Sequence, residues 1–502
     1  LDIAIELGAA IRETIDAIQT LHDKVERGFA AVQQELAQIK AQGPSDNAKL
    51  ARLSEKAMRG AIARFVAFSP RAGTEDIVQA VEEFAEDYER LRDRVRKLDA
   101  HDNRVRGLQQ AAEQALEADG DIEEARRLLR EATELRREAA LAPVKDAAET
   151  QAALAEADLA ALDWESAAAN WRTAASMLAP FDATAAGDLG NTAGNALRAF
   201  GEKYGGGALE AAVVALRATM EIQTHEDRPI AWAMTQGNLG IALKNYGAMI
   251  GGEDGDKLIG EAVEAFRHVL EVFTGEEMPD EWAQTQNNLG AALTTRGQRL
   301  EGQDGNDLLS EAVAAFRAAL ELHTRYEHPV EWALTQNNLG VALLIQGERL
   351  IGQAGTNSLG EAVAAFREAL EVRTREDMPD GWAVTQNNLG AALARRGERV
   401  EGQEAIALMG GAITAFRSTL EVRALDDLPV DWALTQENIG LALESLADCD
   451  LDRRWQHLQE AREAVTLSLE VFDPENMPFN FEKAKKCLAR IEAKIAEHCS
   501  DD

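Results

Sequence analysis

The chain has 502 residues, 46% of them hydrophobic and 5% aromatic, which excludes global disorder and favours helices over strands. Its net charge of −35, from 87 acidic and 52 basic residues, opposes nucleic acid and anionic lipid, and either complements a protein partner with a basic face or simply keeps a long helical protein soluble. Cys449, Cys487 and Cys499 form no Cys-x-x-Cys pair, no apolar run approaches about 18 residues, and no signal peptide opens the chain. The expectation is a cytoplasmic protein without disulfide, zinc site or membrane span.

Residues 1–100 read as a helical bundle or coiled coil. Ile11, Ile15, Ile18, Val25, Phe29, Val32, Leu36 and Ile39 follow one another at alternating steps of four and three, with His22 in the one gap. That spacing is a heptad seam. Gly43-Pro44-Ser45-Asp46 ends it. A second helix carries Leu50, Leu53, Met58, Ile62 and Phe65 and stops near Pro70. A third keeps a seam through Ile77, Val81, Phe84, Tyr88, Leu91, Val95 and Leu98. These helices either form a bundle within one chain or join copies into a homo-oligomer. Their β-branched residues lean an intermolecular coil away from simple dimers. His22 reads as a polar position that fixes register, with a pH switch as the alternative.

Residues 101–180 hold shorter, degenerate helix pairs. The turn Ala118-Asp119-Gly120-Asp121 leads into Ala125, Leu129 and Ala132, and Leu162-Asp163-Trp164 leads into Ala168, Trp171 and Ala175. Pro143 and Pro180 close the two pairs.

Residues 181–480 carry a repeated block. Trp282-Ala-Gln-Thr-Gln-Asn-Asn-Leu-Gly290 returns at Trp332 and Trp382, a step of 50, with weaker copies from Trp232 and Trp432. A fixed period of this kind marks units that bury their apolar faces only against their neighbours. Pro279-Asp280 sets the start of a helix A, which places Trp282, Gln286, Leu289 and Leu293 on one face. Gly302-Gln-Asp-Gly-Asn-Asp307 reads as a polar loop. Helix B then runs from about Leu308 to Thr324, burying Ala312, Val313, Phe316, Ala319 and Leu320. Ser358 and Glu361 have capping-box spacing. Residues 481–502 read as a capping helix and tail, made more polar by Lys483, Lys485 and Lys486.

Asn287-Asn288-Leu289-Gly290, followed by Ala312, Phe316 and the closing Pro329, resembles the tetratricopeptide repeat family. Pro-x-x-Trp-Ala before Asn-Asn-Leu-Gly is similar to the kinesin light chain subtype, and closer to long bacterial arrays. The resemblance covers residues 181–500 strongly and 101–180 weakly. It implies an all-α, right-handed α-solenoid whose A helices line a concave groove. It further implies a non-catalytic scaffold or adaptor for proteins or peptides. Two alternatives are the sensor region of a larger bacterial signalling or defence effector, which fits a chain opening at Leu1, and a self-assembling scaffold. The unit of 50 departs from the family norm of about 34 residues. The excess falls in the loop between the helices and after helix B, either as an extra edge surface or as longer helices.

If the A helices line a groove, the stripe Gln284, Asn287, Asn288, Ala291 and Thr295 faces it. Asn238, Asn288, Asn338, Asn388 and Asn438 form one ladder, read chiefly as a tie between helices. Gly237, Asn287, Asn337, Asn387 and Glu437 form another, read chiefly as ligand contacts because the residue changes at both ends. An amide both donates and accepts, which suits a peptide backbone. Lys244, Asn245, Thr294, Thr295, Ile345, Arg395, Glu444 and Ser445 supply variation that a specificity surface needs. The Trp ladder reads as packing, and Arg267, Arg317, Arg367 and Arg417 as partners for acids between repeats. No His-Glu-x-x-His, Gly-x-Ser-x-Gly or phosphate loop occurs, and Gly251–Lys257 lacks the spacing of a calcium or phosphate loop. No enzyme and no cofactor are expected.

Overall fold

The computed structural model describes residues 25–34, 37, 55–68, 74–97, 103–116, 121–138, 144–425 and 428–500. Among these residues every regular element is a helix, and the chain is an all-α solenoid of tandem helical pairs. It divides into two compact units, Leu1–Tyr246 and Gly247–Asp502. No helix among the described residues is long and apolar enough to cross a membrane.

The first unit contains α1 (25–34), α2 (Glu55–Phe68), α3 (Thr74–Lys97), α4 (Asn103–Gln114), α5 (Ile122–Glu138), α6 (Val144–Ala160), α7 (Trp164–Leu178), α8 (Ala183–Tyr204) and α9 (Ala208–Ile222). Part of the heptad seam is used within the chain. Phe29 and Val32 of α1 are buried in one core with Met58, Ile62, Ile77 and Val81. Gly28 permits this approach, since a Cβ there would lie 2.7 Å from Ile77 and 3.1 Å from Ile62. Ile11, Ile15, Ile18, His22, Leu36, Ile39, Leu50 and Leu53 lie outside the described residues. The same core continues past residue 100 through Leu116, Leu129, Leu154 and Ala157. A buried ionic network sits beside it. Arg126 reaches both Asp158 and Asp163, while Asn170 donates to Asp158.

The helix α10 (Pro229–Ile250) crosses from one unit to the other. The second unit continues with α11 (Gly252–Val272), α12 (Pro279–Arg299), α13 (Gly302–Leu322), α14 (Pro329–Arg349), α15 (Gly352–Leu370), α16 (Pro379–Gly397), α17 (Gly402–Leu420), α18 (Pro429–Cys449), α19 (Arg454–Leu469) and α20 (Pro478–Ser500). Here α12, α14, α16 and α18 are A helices, and α13, α15, α17 and α19 are B helices. Each A helix opens with Pro at its first turn, where the missing N–H costs no intrahelical bond.

The expected loop at Gly302–Asp307 is not a loop. It is the first part of α13, so α12 and α13 are both 21 residues long. The added length of the repeat extends its helices. Gly302 makes this possible by taking φ +71°, as Gly352 and Gly402 take +65°, so the chain reverses over two residues before Gly302 and Gly352 and over four before Gly402. The polar run then forms a solvated first turn in which Asp304 complements the helix dipole.

Inside each pair the A helix meets the B helix at a glycine. A Cβ on Gly290 would lie 2.8 Å from the Phe316 ring, one on Gly340 2.6 Å from Phe366, and one on Gly390 2.7 Å from Phe416. The ring therefore rests on bare backbone, which explains why Leu-Gly and Phe recur together. In the last pair Gly440 takes Val465 in place of the ring.

Candidate functional site

Along an A helix of the second unit, side chains divide three ways. Ala283, Leu289, Ala292 and Leu293 are buried toward the B helix. Gln284 and Gln298 are exposed, and Asn288, Ala291 and Thr295 are half-buried between them. Steps of four and three join these five into one accessible stripe. The counterparts in α14 are Leu334, Asn338, Val341, Ile345 and Glu348, and those in the next repeat are Val384, Asn388, Ala391 and Arg395 of α16 and Glu398 just after it.

Asn287 does not share that stripe. It is only 7% exposed, and Asn337 only 6%. Asn338 Nδ2 donates to Asn287 Oδ1 at 3.1 Å, and Asn388 Nδ2 donates to Asn337 Oδ1 at 3.2 Å. Thr385 Oγ1 also donates to Asn337 Oδ1, at 3.3 Å. The two Asn ladders thus belong to one device, in which the second Asn of a repeat donates back to the first Asn of the repeat before it. A buried amide oxygen left unmatched costs more than the bond contributes, so the relay fixes how neighbouring A helices align. Asn387 and Asn438 are half-buried. Glu437, at 1% exposure, receives Lys483 Nζ of α20 at 3.0 Å. At the end of the array an ion pair replaces the amide pair.

The other singled-out positions are mostly tied as well. In the first unit, Asn238 Nδ2 donates to Asn191 Oδ1 at 3.2 Å, and Asn245 donates to Glu202. Lys244 is half-buried, and burial pushes its ammonium below the ordinary lysine range against the pull of Glu202. In the second unit, Thr295 Oγ1 donates to the Ala291 carbonyl at 2.9 Å. Arg395 is exposed but bonds Glu348 at 2.7 Å and Glu398 at 3.2 Å. Thr294 and Glu444 are buried, and Glu444 accepts from Arg490 of α20. Trp332 is buried, while Trp282, Trp382 and Trp432 are half-buried.

On the B helices, Arg267 bonds Glu311 at 2.7 Å, Arg317 bonds Glu361 at 2.5 Å, and Arg417 bonds Glu460 at 3.0 Å. Each pair joins one repeat to the next. At Arg367 the acid position is occupied by Gly411.

A further ladder escapes sequence reading. Arg299 donates to the carbonyls of Gly247 and Ala248, at 3.2 and 3.1 Å. Arg349 donates to the carbonyl of Gln298 at 2.8 Å, and Arg399 to those of Leu350 and Glu348, at 2.9 and 3.0 Å. Each cation thereby satisfies orphan carbonyls where the preceding A helix ends, and meets the negative end of its dipole. The signal was present in the recurrence of Arg299, Arg349 and Arg399 at the step of 50.

No protein-family model and no curated protein matches this sequence. Among solved structures, a circular tandem repeat protein with novel repeat topology and enhanced subunit contact surfaces is similar at 14% identity. That similarity covers 88% of this chain and 95% of the other, with a TM-score of 0.28. It adds nothing to the fold, which rests on the helices themselves: the chain is a helical tandem-repeat protein.

Proposed function

We propose that this chain is a tetratricopeptide-type scaffold that works by binding, not catalysis, and takes a protein or peptide segment along the accessible stripe of its A helices. The observation that carries this reading is internal to the array. Buried positions hold constant from copy to copy, as at Ala283, Ala333, Ala383 and Ala433. Within the stripe the Asn288, Asn338, Asn388 and Asn438 position stays constant as a tie between repeats, while positions on either side of it change, from Gln284 to Leu334, Val384 and Leu434, and from Thr295 to Ile345, Arg395 and Ser445. A face kept only for solubility would stay polar, yet Leu334 and Leu434 are exposed apolar residues.

Glu348 and Glu398 at one end of the stripe are paired with Arg395, and Asp448 with Lys494, so the pull on a basic partner comes from the chain's net charge of −35. The partner that fits is an extended segment with apolar anchors and basic flanks. A cytoplasmic setting accords with the free thiols at Cys449 and Cys487.

The test is selection from a random peptide library. Wild-type chain is compared with a variant carrying Leu334→Ser, Ile345→Ser and Leu434→Ser, and with Asn337→Ala as a packing control. Basic, apolar sequences should be enriched by wild type and by the control, and lost with the triple variant. Equal enrichment by all three would sink the proposal.

A further inference from the structure

We infer that the first unit holds a binding site for an uncharged aromatic small molecule, in the cavity between α3 and α8. The cavity measures about 590 Å³, a size that accommodates a drug-sized ligand. It exists because its walls carry small side chains. Ala80 of α3, Thr192, Ala196 and Ala199 of α8, and Ala160 of α6 all line it. Larger residues at these helical positions would close the space.

The rest of the lining is largely aromatic. Phe65, Phe84, Trp171, Phe200 and Tyr204 contribute. Three of these rings are already assembled: Phe65 stands edge-on to Tyr204 at 6.5 Å, and Phe200 tilts against Tyr204 at 4.8 Å. A further ring can add edge-to-face or offset contacts to such a cluster. Leu162 also lines the cavity, from a turn where it holds φ +62°.

The charged groups decide the ligand class. Three acids and three bases line the cavity, and each acid has its base. Glu83 meets Lys203, Asp87 meets Arg90 at 2.7 Å, and Glu156 meets Arg94. Burial raises the Glu156 carboxyl above its ordinary range and lowers Lys203, so both pairs sit in a partly dehydrated wall. No charge is left over for a phosphate, a carboxylate or a metal ion. Affinity must come from apolar and aromatic contact, with the ion pairs as a polar rim. A ligand there would bridge the N-terminal helices and α8, within one compact unit.

The experiment titrates the full chain with N-phenyl-1-naphthylamine, an uncharged fluorescent probe. The expected result is saturable binding with a rise in emission. Ala196→Trp on α8 and Ala80→Leu on α3 fill the cavity from two helices, and each should weaken the probe by about tenfold or more. Circular dichroism checks the fold, and should Ala196→Trp not fold, Ala80→Leu decides. The anionic probe 8-anilinonaphthalene-1-sulfonate should bind less tightly. Absence of saturable binding, affinity unchanged by cavity filling, or preference for the anionic probe would overturn the inference. The peptide stripe lies on other helices, so neither result bears on that reading.

Discussion

In the unit Gly247–Asp502 the same polar ties recur from one repeat to another, whereas in Leu1–Tyr246 buried charge is gathered at one place. Asn338 with Asn287, and Asn388 with Asn337, are interchangeable rungs of modest worth. Arg126, Asp158, Asp163 and Asn170 form a single knot with no copy elsewhere in that unit's described helices. A repeated tie spreads specificity over many weak bonds, and local loss of one is tolerated. A single buried ion pair concentrates it, because removing one partner leaves the other charged and dry.

The largest expected effect follows directly. Asp158→Ala removes the fully buried partner of Arg126, leaves the guanidinium only the more exposed Asp163 and Glu123, and should destabilise the first unit by about 3 kcal/mol. Urea denaturation followed by hydrogen exchange would show α5 to α7 opening early while the second unit keeps its protection. Uniform loss across both units would contradict the comparison.

Glycines in the second unit give a smaller and opposed pair of effects. Gly340→Ala places a Cβ 2.6 Å from Phe366 and should cost about 1–3 kcal/mol through overpacking. Gly410 has open space around it, so Gly410→Ala in α17 should stabilise by about 0.5–1 kcal/mol through helix propensity alone. Thermal midpoints of the two variants should move in opposite directions. Movement in the same direction would show that the ring-on-glycine contact is slack.

The smallest effect is confined to α20. Burial works against ionised Glu444, but hydrogen bonds from Arg490 and Lys494 outweigh it and hold its carboxyl below the ordinary glutamate range. A carboxylate with a lowered native value stabilises above that ordinary range and loses its contribution as pH falls through the lowered value. The cap should therefore loosen in acid before the repeats do. Hydrogen exchange across an acid pH series would detect this, and Glu444→Gln should flatten the dependence. An unchanged profile in that variant would place the acid sensitivity elsewhere.

The sequence made the repeat period and the A and B helices legible, because each depends on apolar spacing and on Gly and Pro, while the seating of each Phe ring on a glycine emerged only from the packing. It misread Gly302–Asp307, since solvated first turns and loops share a composition, and only the positive φ of Gly302 separates them. It separated the two Asn ladders because adjacent residues on one helix point about 100° apart, and a bond from one repeat to the next leaves no local mark. The Arg299, Arg349 and Arg399 ladder went unread for the same reason, although its period was visible. The cavity of the first unit was out of reach altogether. Ala80 and Ala196 are ordinary helix residues until tertiary packing sets both in the wall of one cavity.

The amide relay has a direction: in both rungs, Asn338 to Asn287 and Asn388 to Asn337, the donor reaches back and the acceptor waits for the copy that follows. A block of the array cut out or copied whole therefore leaves no mismatched hydrogen bond at the seam. Gene duplication can lengthen or shorten the middle of such a chain one block at a time without redesigning a join. Glu437 is the full stop, because its charge asks for Lys483 and not for another Asn. Growth by duplication is open in the interior and closed at this end.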